Sequence, residues 1–322
     1  MEGLSLYSKA LDLINKSRYI LIVTHINPDA DTLSCALALS NYFKENKIKH
    51  AVFNKMKALP SNLDFLGNYQ KITDQIPKFY DLIISVDCAN LKRVGIEFDS
   101  NIKIINIDHH QSNNNFGIIN IVDETKASSA EVLYEFFKQN NLQISQQTAQ
   151  CLYVGIYDDS LAFTTPRCDS GSFEKANHLV SLGVSPSFIA NKLLRRDSLA
   201  KYRLMPLILN TLELHFEGKV ATIYVKDEWL KQSGALYTEC EELVNMVLRI
   251  GIIDIAIFFR YSNGSTRVSM RSKNNIDVSP IASHFNGGGH KMAAGCTCNT
   301  QDIDEAKKMI LNYIEELNIY GI

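Results

Sequence analysis

The sequence predicts an α/β protein: a doubly wound, mostly parallel sheet followed by a smaller α/β domain, with a cleft between them. Three observations carry that expectation. Continuously apolar, β-branched runs alternate with helical patterns through the first half, as repeated strand–helix–strand units do. The pattern turns helical over residues 128–210 and then returns to strands. Finally, a chain of 322 residues exceeds the roughly 100–200 residues of a usual domain.

In chain order, residues 19–24, 51–54, 81–87 and 102–108 read as strands, too continuously apolar for a sheet with one wet face. Between the first two, residues 31–45 set Leu33, Leu37, Ala38 and Phe43 at the spacing of a helix packed across a sheet. Helical patterns follow at 128–140, 145–157 and 169–182. A charged stretch at 191–203, with Lys192, Arg195, Arg196, Lys201 and Arg203, reads as a solvated linker helix. Strand signals resume at 219–225, 254–261 and 265–272, with Ser262-Asn263-Gly264 as a hairpin turn, before a terminal helix at 302–316. The expected domains are therefore residues 1–190 and 213–322, joined by a helical linker at 191–212.

Composition narrows the function classes. Lys and Arg number 33 against 35 Asp and Glu, a net charge of −2. No global positive field marks a grip on long DNA or RNA, so any phosphate binding has to be local. The amino terminus does not read as a signal peptide, and the most apolar later stretch, 252–259, is interrupted by Asp254. A cytoplasmic protein without a membrane anchor is expected. An odd count of 7 cysteines fits buried thiols in a reducing compartment. Cys296 and Cys298, two apart on a strand, point to one face and suit core packing better than a metal site.

The strand ends of the first half carry a coherent chemistry. The first strand runs into His25, Asp29 and Asp31; the third ends on Asp87; the fourth ends on Asp108-His109-His110; and the helix at 145–157 runs out into Asp158-Asp159. In a parallel sheet these ends meet in one crevice. Carboxylates packed together repel one another, and bound cations relieve that repulsion. Imidazole with several carboxylates and no thiolate suits Mn²⁺ or related divalent ions in open sites. Two ions sharing a carboxylate are the usual arrangement for in-line attack on phosphorus, so phosphoester hydrolysis is the expected reaction class.

A second dense signal lies near the carboxyl end. Strand alternation places Arg267, Ser269, Arg271 and Lys273 on one face, with Val268 and Met270 on the other. The run Gly287-Gly288-Gly289-His290-Lys291 that follows reads as a loop whose backbone N–H groups approach an anion. Strand and glycine run together read as a phosphate-binding wall.

Asp108-His109-His110, preceded by His25 with Asp29 and Asp31, resembles the DHH phosphoesterase superfamily of RecJ-type exonucleases, family II pyrophosphatases and NrnA-like nano-RNases. The resemblance extends through Asp87 and the run from Gly155 to Phe163. The carboxyl-terminal pattern is similar to the first type of DHH-associated domain, which RecJ-like and NrnA-like proteins carry and pyrophosphatases do not. It implies one ion held by His25, Asp29 and Asp87 and a second by Asp31, Asp87, His109 and Asp159, with Asp87 as the bridge. It also implies His110 at the substrate phosphate, Asp108 beside it in the catalytic set, and Arg271 and His290 as substrate contacts. Two positions depart from the common pattern: Ser34-Cys35 replaces Gly-Ser, and Asp158-Asp159-Ser160-Leu161 replaces Thr-Asp-Thr-Gly.

The expected activity is a two-metal, Mn²⁺-dependent phosphodiesterase that cuts very short oligonucleotides to mononucleotides. Removal of the 3′ phosphate from 3′-phosphoadenosine 5′-phosphate belongs to the same expectation. Partners would be short single-stranded RNA or DNA and nucleotide bisphosphates, with no long duplex, and a homodimer is considered. Two alternatives stay open: hydrolysis of cyclic or linear signalling dinucleotides, and a nucleotide-binding sensor of weak turnover.

Overall fold

Continuously apolar strands need cover on both faces, and the fold supplies it. The computed structural model describes residues 5–195, 197–262 and 264–319. The chain divides into two compact units, Met1–Arg196 and Asp197–Ile322, and the division falls inside the segment expected to link them.

In the first unit, helix α1 (Leu6–Lys16) leads into β1 (Ile20–Val23) and α2 (Ala30–Glu45), followed by β2 (His50–Phe53), β3 (Ile72–Thr73), β4 (Leu82–Val86), β5 (Lys103–Asp108) and β6 (Ile119–Val122). Helices α3 (Ser129–Gln139), α4 (Gln146–Asp159), α5 (Ser170–Ser181) and α6 (Pro186–Leu194) come after. The strands form one six-stranded sheet in the order β3-β2-β1-β4-β5-β6, each pair parallel. The order reverses between β1 and β4, and the crevice at their carboxyl ends is where such sheets place ligands. Leu33, Leu37, Phe136, Phe137 and Leu152 pack a large core with sheet residues such as Ile22 and Ile84. A smaller cluster of Leu21, Val23, Phe53, Ile83 and Val94 closes the other face under a 3₁₀ turn, Leu91–Val94.

Two helix ends differ from expectation. Helix α4 continues through Asp159, so Asp158 and Asp159 stand on its last turn and not beyond it. The stretch expected as one linker helix is broken: α6 stops at Leu194, and α7 (Leu199–Leu209) starts afresh under Ser198, whose hydroxyl accepts the Lys201 N–H at 3.0 Å. A serine that can cap competes with the helix interior. Of the basic residues there, Lys201 is buried and paired to Asp197 at 2.7 Å, while Arg196 lies outside the described residues.

The second unit continues from α7 through β7 (Glu213–His215), β8 (Val220–Val225), α8 (Asp227–Ser233), α9 (Glu241–Leu248), β9 (Ile255–Ser262), β10 (Ser265–Ser272), α10 (Ser279–His284), β11 (Gly288–His290), β12 (Ala293–Cys298) and α11 (Ile303–Glu316). Its six-stranded sheet runs β11-β12-β10-β9-β8-β7, with β8 and β9 parallel and the other pairs antiparallel. The β9–β10 hairpin forms as expected, although its central Asn263 lies outside the described residues. Cys296 and Cys298 are both buried in the core beside Val268 and Met270. All seven cysteines are free. Among the described residues no helix is long and apolar enough to cross a membrane.

Candidate metal centre

The loop after β1 is built to aim acids into the crevice. Asn54 Nδ2 donates to Thr24 Oγ1 at 2.7 Å and to the His25 carbonyl at 2.8 Å, fixing the end of β1. Asp29 caps α2, its Oδ1 accepting the Thr32 N–H at 3.0 Å, which leaves Oδ2 free to face His25 at 3.4 Å. Asp31, one residue inside the helix, is buried. At the end of β4, Asp87 adopts φ 55°, a left-handed conformation unusual for a non-glycine residue. Local strain of this kind collects at functional sites.

Three sets of donor atoms, each within 4.8 Å of one another, come together: His25, Asp29 and Asp87; Asp31, His109 and Asp159; and Asp87, His109 and His110. Asp87 lies between the two histidines, 3.5 Å from His25 Nε2 and 3.7 Å from His109 Nε2. Asp159 also approaches His109 Nε2, at 3.3 Å. Every residue expected from the first half to hold an ion is therefore in one cluster.

Second contacts set the tautomers. His25 Nδ1 donates to the Ile26 carbonyl at 2.9 Å and His109 Nδ1 to the Lys126 carbonyl at 3.2 Å. In both rings Nε2 is turned to carboxylates, and His25 Nε2 is buried without a hydrogen-bond partner. A bare imidazole nitrogen facing carboxylate oxygens is repulsive unless a proton or a cation lies between them. Hard carboxylates with neutral imidazoles therefore fit a divalent ion.

The electrostatics state the same conflict. Burial lifts Asp31 well above the usual carboxylate range, and Asp87, Asp159 and Asp29 add to the shift. Burial, then Asp87 and Asp29, push Asp159 up to about 7, while burial and Asp29 push Asp158 up to about 6. Burial opposes charge on His25, but Asp29 and Asp87 outweigh it and raise that ring to about 10. Burial keeps His109 below the usual imidazole range. The cluster thus takes up protons where it has no other cation.

Asp108 has a different place from its neighbours. It is fully buried, its Oδ1 accepts His109 N–H at 2.8 Å and His110 Nδ1–H at 2.7 Å, and its Oδ2 accepts Asn113 Nδ2 at 2.5 Å. This carboxylate orients His110, leaving Nε2 of that half-exposed ring available to a ligand.

Sequence reasoning missed Ser129. Its N–H donates to Asp31 Oδ2 at 2.7 Å and its hydroxyl to Asp87 Oδ1 at 2.8 Å, and the next amide, Ala130 N–H, donates to Asp31 Oδ1 at 3.0 Å. The amino-terminal amides of α3 thus hold one acid while a hydroxyl holds another. A serine opening a helix is too common to signal this. Leu161, where the pattern that the sequence resembles has glycine, has φ 49°, and Ala162 and Phe163 follow at 58° and 64°. A left-handed backbone of this kind favours glycine.

In the second unit, alternation along β10 is as expected: Val268 and Met270 are buried, Arg267 is exposed, and Ser269 and Arg271 are half-buried. A cavity of about 290 Å³ gathers Arg267, Ser269 and Gly287 with Arg260, Asn286 and Thr297. Arg271, Gly288, Gly289 and His290 do not line it, and Arg271 Nη1 donates to the Met270 carbonyl at 3.1 Å. Arg260 was missed, although hairpin register sets it directly opposite Arg267. Lys273 leaves the arginine face, since its ammonium donates to the carbonyls of Leu248, Ile250 and Gly251.

The glycine run is a strand and not an open cradle. Gly288–His290 pairs with β12, and of the three glycines only Gly289 takes a positive φ, 150°. A Cβ on Gly287 would lie 2.2 Å from the Gly295 carbonyl and one on Gly289 2.4 Å from the Ala293 carbonyl, whereas Gly288 faces open space. Close backbone approach explains two glycines, and only Gly288 is open to a ligand. His290 is exposed at the strand end.

The description of the DHH family, N-terminal domain, matches residues 19–156, and that of the DHHA1 domain matches residues 217–316. The chain is 27% identical over 301 residues to a bifunctional oligoribonuclease and PAP phosphatase NrnA of Thermus thermophilus, covering 92% of this chain and 89% of that protein. It is 23% identical over 330 residues to the cyclic-di-AMP phosphodiesterase PdeA of Listeria monocytogenes, covering 96% of this chain and 49% of that one. Among solved structures it is similar to an exopolyphosphatase-related protein from Bacteroides fragilis, with a TM-score of 0.91 at 23% identity over 99% of this chain and 98% of that one. That likeness shows the fold.

Proposed function

From the premise that the chain belongs to the DHH family, with a DHHA1 domain after its DHH domain, we propose that it is a phosphodiesterase using two divalent ions, Mn²⁺ by preference. Its substrates are very short oligonucleotides, cut to mononucleotides, and 3′-phosphoadenosine 5′-phosphate. The observation that carries the reading is Asp87, whose carboxylate is shared between a donor set containing His25 and Asp29 and another containing His109. A shared carboxylate between two donor sets is what a two-ion site requires.

His25, Asp29 and Asp87 would hold one ion, and Asp31, Asp87, His109 and Asp159 the other. When bound, the ions supply an activated water and stabilise charge developing on phosphorus. His110, oriented by Asp108, binds the phosphate or gives a proton to the leaving oxygen through Nε2. In the second unit Arg260, Arg267 and Ser269 offer donors to a further phosphate, with Gly288, His290 and Arg271 as adjacent contacts. Near-neutral net charge suits short substrates, because a long strand calls for an extended basic track.

The test is a panel of labelled di- to octanucleotides, 3′-phosphoadenosine 5′-phosphate, a cyclic dinucleotide and pyrophosphate, each incubated with Mn²⁺. The reading expects fastest turnover of the shortest oligonucleotides; rapid pyrophosphate hydrolysis with inert dinucleotides overturns it. Likeness to a cyclic-di-AMP phosphodiesterase along nearly the whole chain favours a second reading, in which signalling dinucleotides are the main substrate. Preference for the cyclic or linear di-adenylate in the same panel would select it.

A further inference from the structure

One cation stands among the acids of the first unit without joining them. Arg93 lies on the 3₁₀ turn Leu91–Val94, six residues after Asp87, and is half-buried. Its carbonyl accepts the Ile26 N–H at 2.8 Å, which ties the turn to the residue following His25. Gly95 closes the turn with φ 79°, where a Cβ would lie 2.7 Å from Ile26 Cγ2. Lys55 Nζ locks the same corner by donating to the Gly95 carbonyl at 2.5 Å. The backbone that carries Arg93 is therefore fixed against the metal loop.

Its backbone, hydrogen-bonded to Ile26, stands beside the loop that carries His25 and Asp29. The positive charge helps hold Asp29 below the usual carboxylate range, after the contacts of Asp29 with His25 and Thr32, and it opposes protonation of His110. Yet among the described residues the guanidinium makes no hydrogen bond or ion pair. An arginine beside carboxylates ordinarily forms a bidentate pair with one of them. Here Asp29 Oδ1 is taken by the helix cap and its Oδ2 faces His25, while both oxygens of Asp108 carry other donors. The acids are committed elsewhere, so the five N–H donors of Arg93 remain available to an anion arriving at the cluster.

We infer that Arg93 is a substrate-binding residue that takes a non-bridging oxygen of the phosphate presented to the metal centre. The inference rests on the phosphoesterase reading and assigns a contact that the family motifs did not supply. It gives the first unit a fixed positive donor of its own, independent of the arginines of the second unit.

The test measures binding of adenosine 5′-monophosphate, the product class, to the full chain with Mn²⁺ by calorimetry, alongside Mn²⁺ binding alone. Arg93→Ala should weaken mononucleotide binding by roughly ten- to a hundredfold, the range for hydrogen bonds to a charged group, with Mn²⁺ affinity unchanged. Arg93→Lys should recover part of the loss, and added guanidinium should partly rescue Arg93→Ala. Mononucleotide affinity within twofold of wild type in Arg93→Ala, or an equal loss of Mn²⁺ affinity, overturns the inference, the latter because it marks a structural role. If Arg93 proves necessary for mononucleotide binding while the wild type cuts no dinucleotide, the arginine assignment stands and the substrate reading falls.

Discussion

The Ser129 hydroxyl donates to Asp87 Oδ1 at 2.8 Å while the Ser129 N–H donates to Asp31 Oδ2 at 2.7 Å. One residue at the start of α3 thus orients an acid on the first turn of α2 and another just after β4. Outer contacts of this kind commonly govern metal affinity by about 10- to 100-fold. Ser129→Ala is expected to keep the fold and weaken Mn²⁺ binding within that range, as read by metal titration. Undiminished affinity would show that the Ser129 contacts do not set the ligand geometry.

Asp87→Asn removes the carboxylate shared by the donor sets. Hydrolysis should fall to background, and substantial residual turnover would sink the shared-bridge arrangement. Stability should move the other way. Taking one charge from a self-repelling cluster favours the metal-free fold, so its Tm should rise by a few degrees, about 2–4 °C for each kcal/mol in a unit of the size of Met1–Arg196. The Mn²⁺-induced increase in Tm should shrink in the same variant.

The pH dependence without added metal is expected to be unusual. Asp158 and Asp159, pushed up to about 6 and about 7, and His25, raised to about 10, all bind protons more tightly in the folded chain. Stability linked to such groups is present at low pH and is lost as pH rises through the folded values. For the acids that window runs from near 4 to about 7, and for His25 from near 6.5 to about 10. Asp29 and Asp108, lowered in the fold by their partners, act in the opposite sense below the ordinary carboxylate range, and His109, lowered by burial, opposes the trend below the ordinary imidazole value, where the raised acids and His25 outnumber it. In EDTA, Tm should therefore fall from pH 5 to pH 9, whereas stabilisation by Mn²⁺ should grow over that interval as the same protons leave. A metal-free Tm that climbs across the range contradicts this account.

Strand ends were legible because continuous apolar runs can stop only where the sheet stops, and His25, Asp87 and Asp108 follow such runs directly. Ser129 was not, since a helix-opening serine looks the same whether or not an acid lies above it. Arg260 was half legible: the hairpin register that pairs Ser262 with Ser265 also pairs Arg260 with Arg267. The glycine run misled because close strand packing and an open anion cradle demand the same residue. Asp108 carried the motif's first letter, but only geometry reveals that its oxygens face His110 and Asn113 and not the crevice.

Gly155 offers a test in which the usual sign is inverted. Replacing an internal helix glycine with alanine normally stabilises by about 1 kcal/mol. At Gly155 the new Cβ would lie 2.5 Å from Ser34 Oγ and 2.6 Å from both Ala130 Cβ and Asp31 Oδ1. Overpacking of a filled core costs about 1–3 kcal/mol, so Gly155→Ala should lower Tm despite its better helix propensity. Because Asp31 is among the atoms struck, Mn²⁺ affinity should fall as well. A stabilised variant with normal metal binding would mean that α2 and α4 can separate at no cost.

Arg260 and Arg267 stand opposite each other on β9 and β10 around the same cavity. Like charges directly opposite across strands are destabilising, a cost that an anion between the guanidinium groups offsets. Arg267→Ala should therefore raise KM for a dinucleotide bearing a terminal phosphate by roughly tenfold or more, as loss of a charged hydrogen bond does, while kcat changes little. That split marks a contact equally strong in ground and transition states, away from the reacting phosphorus. The same substitution tested on a dinucleotide without the terminal phosphate should leave KM unchanged, and an equal loss on both substrates would move Arg267 from phosphate recognition to a general structural part in the wall.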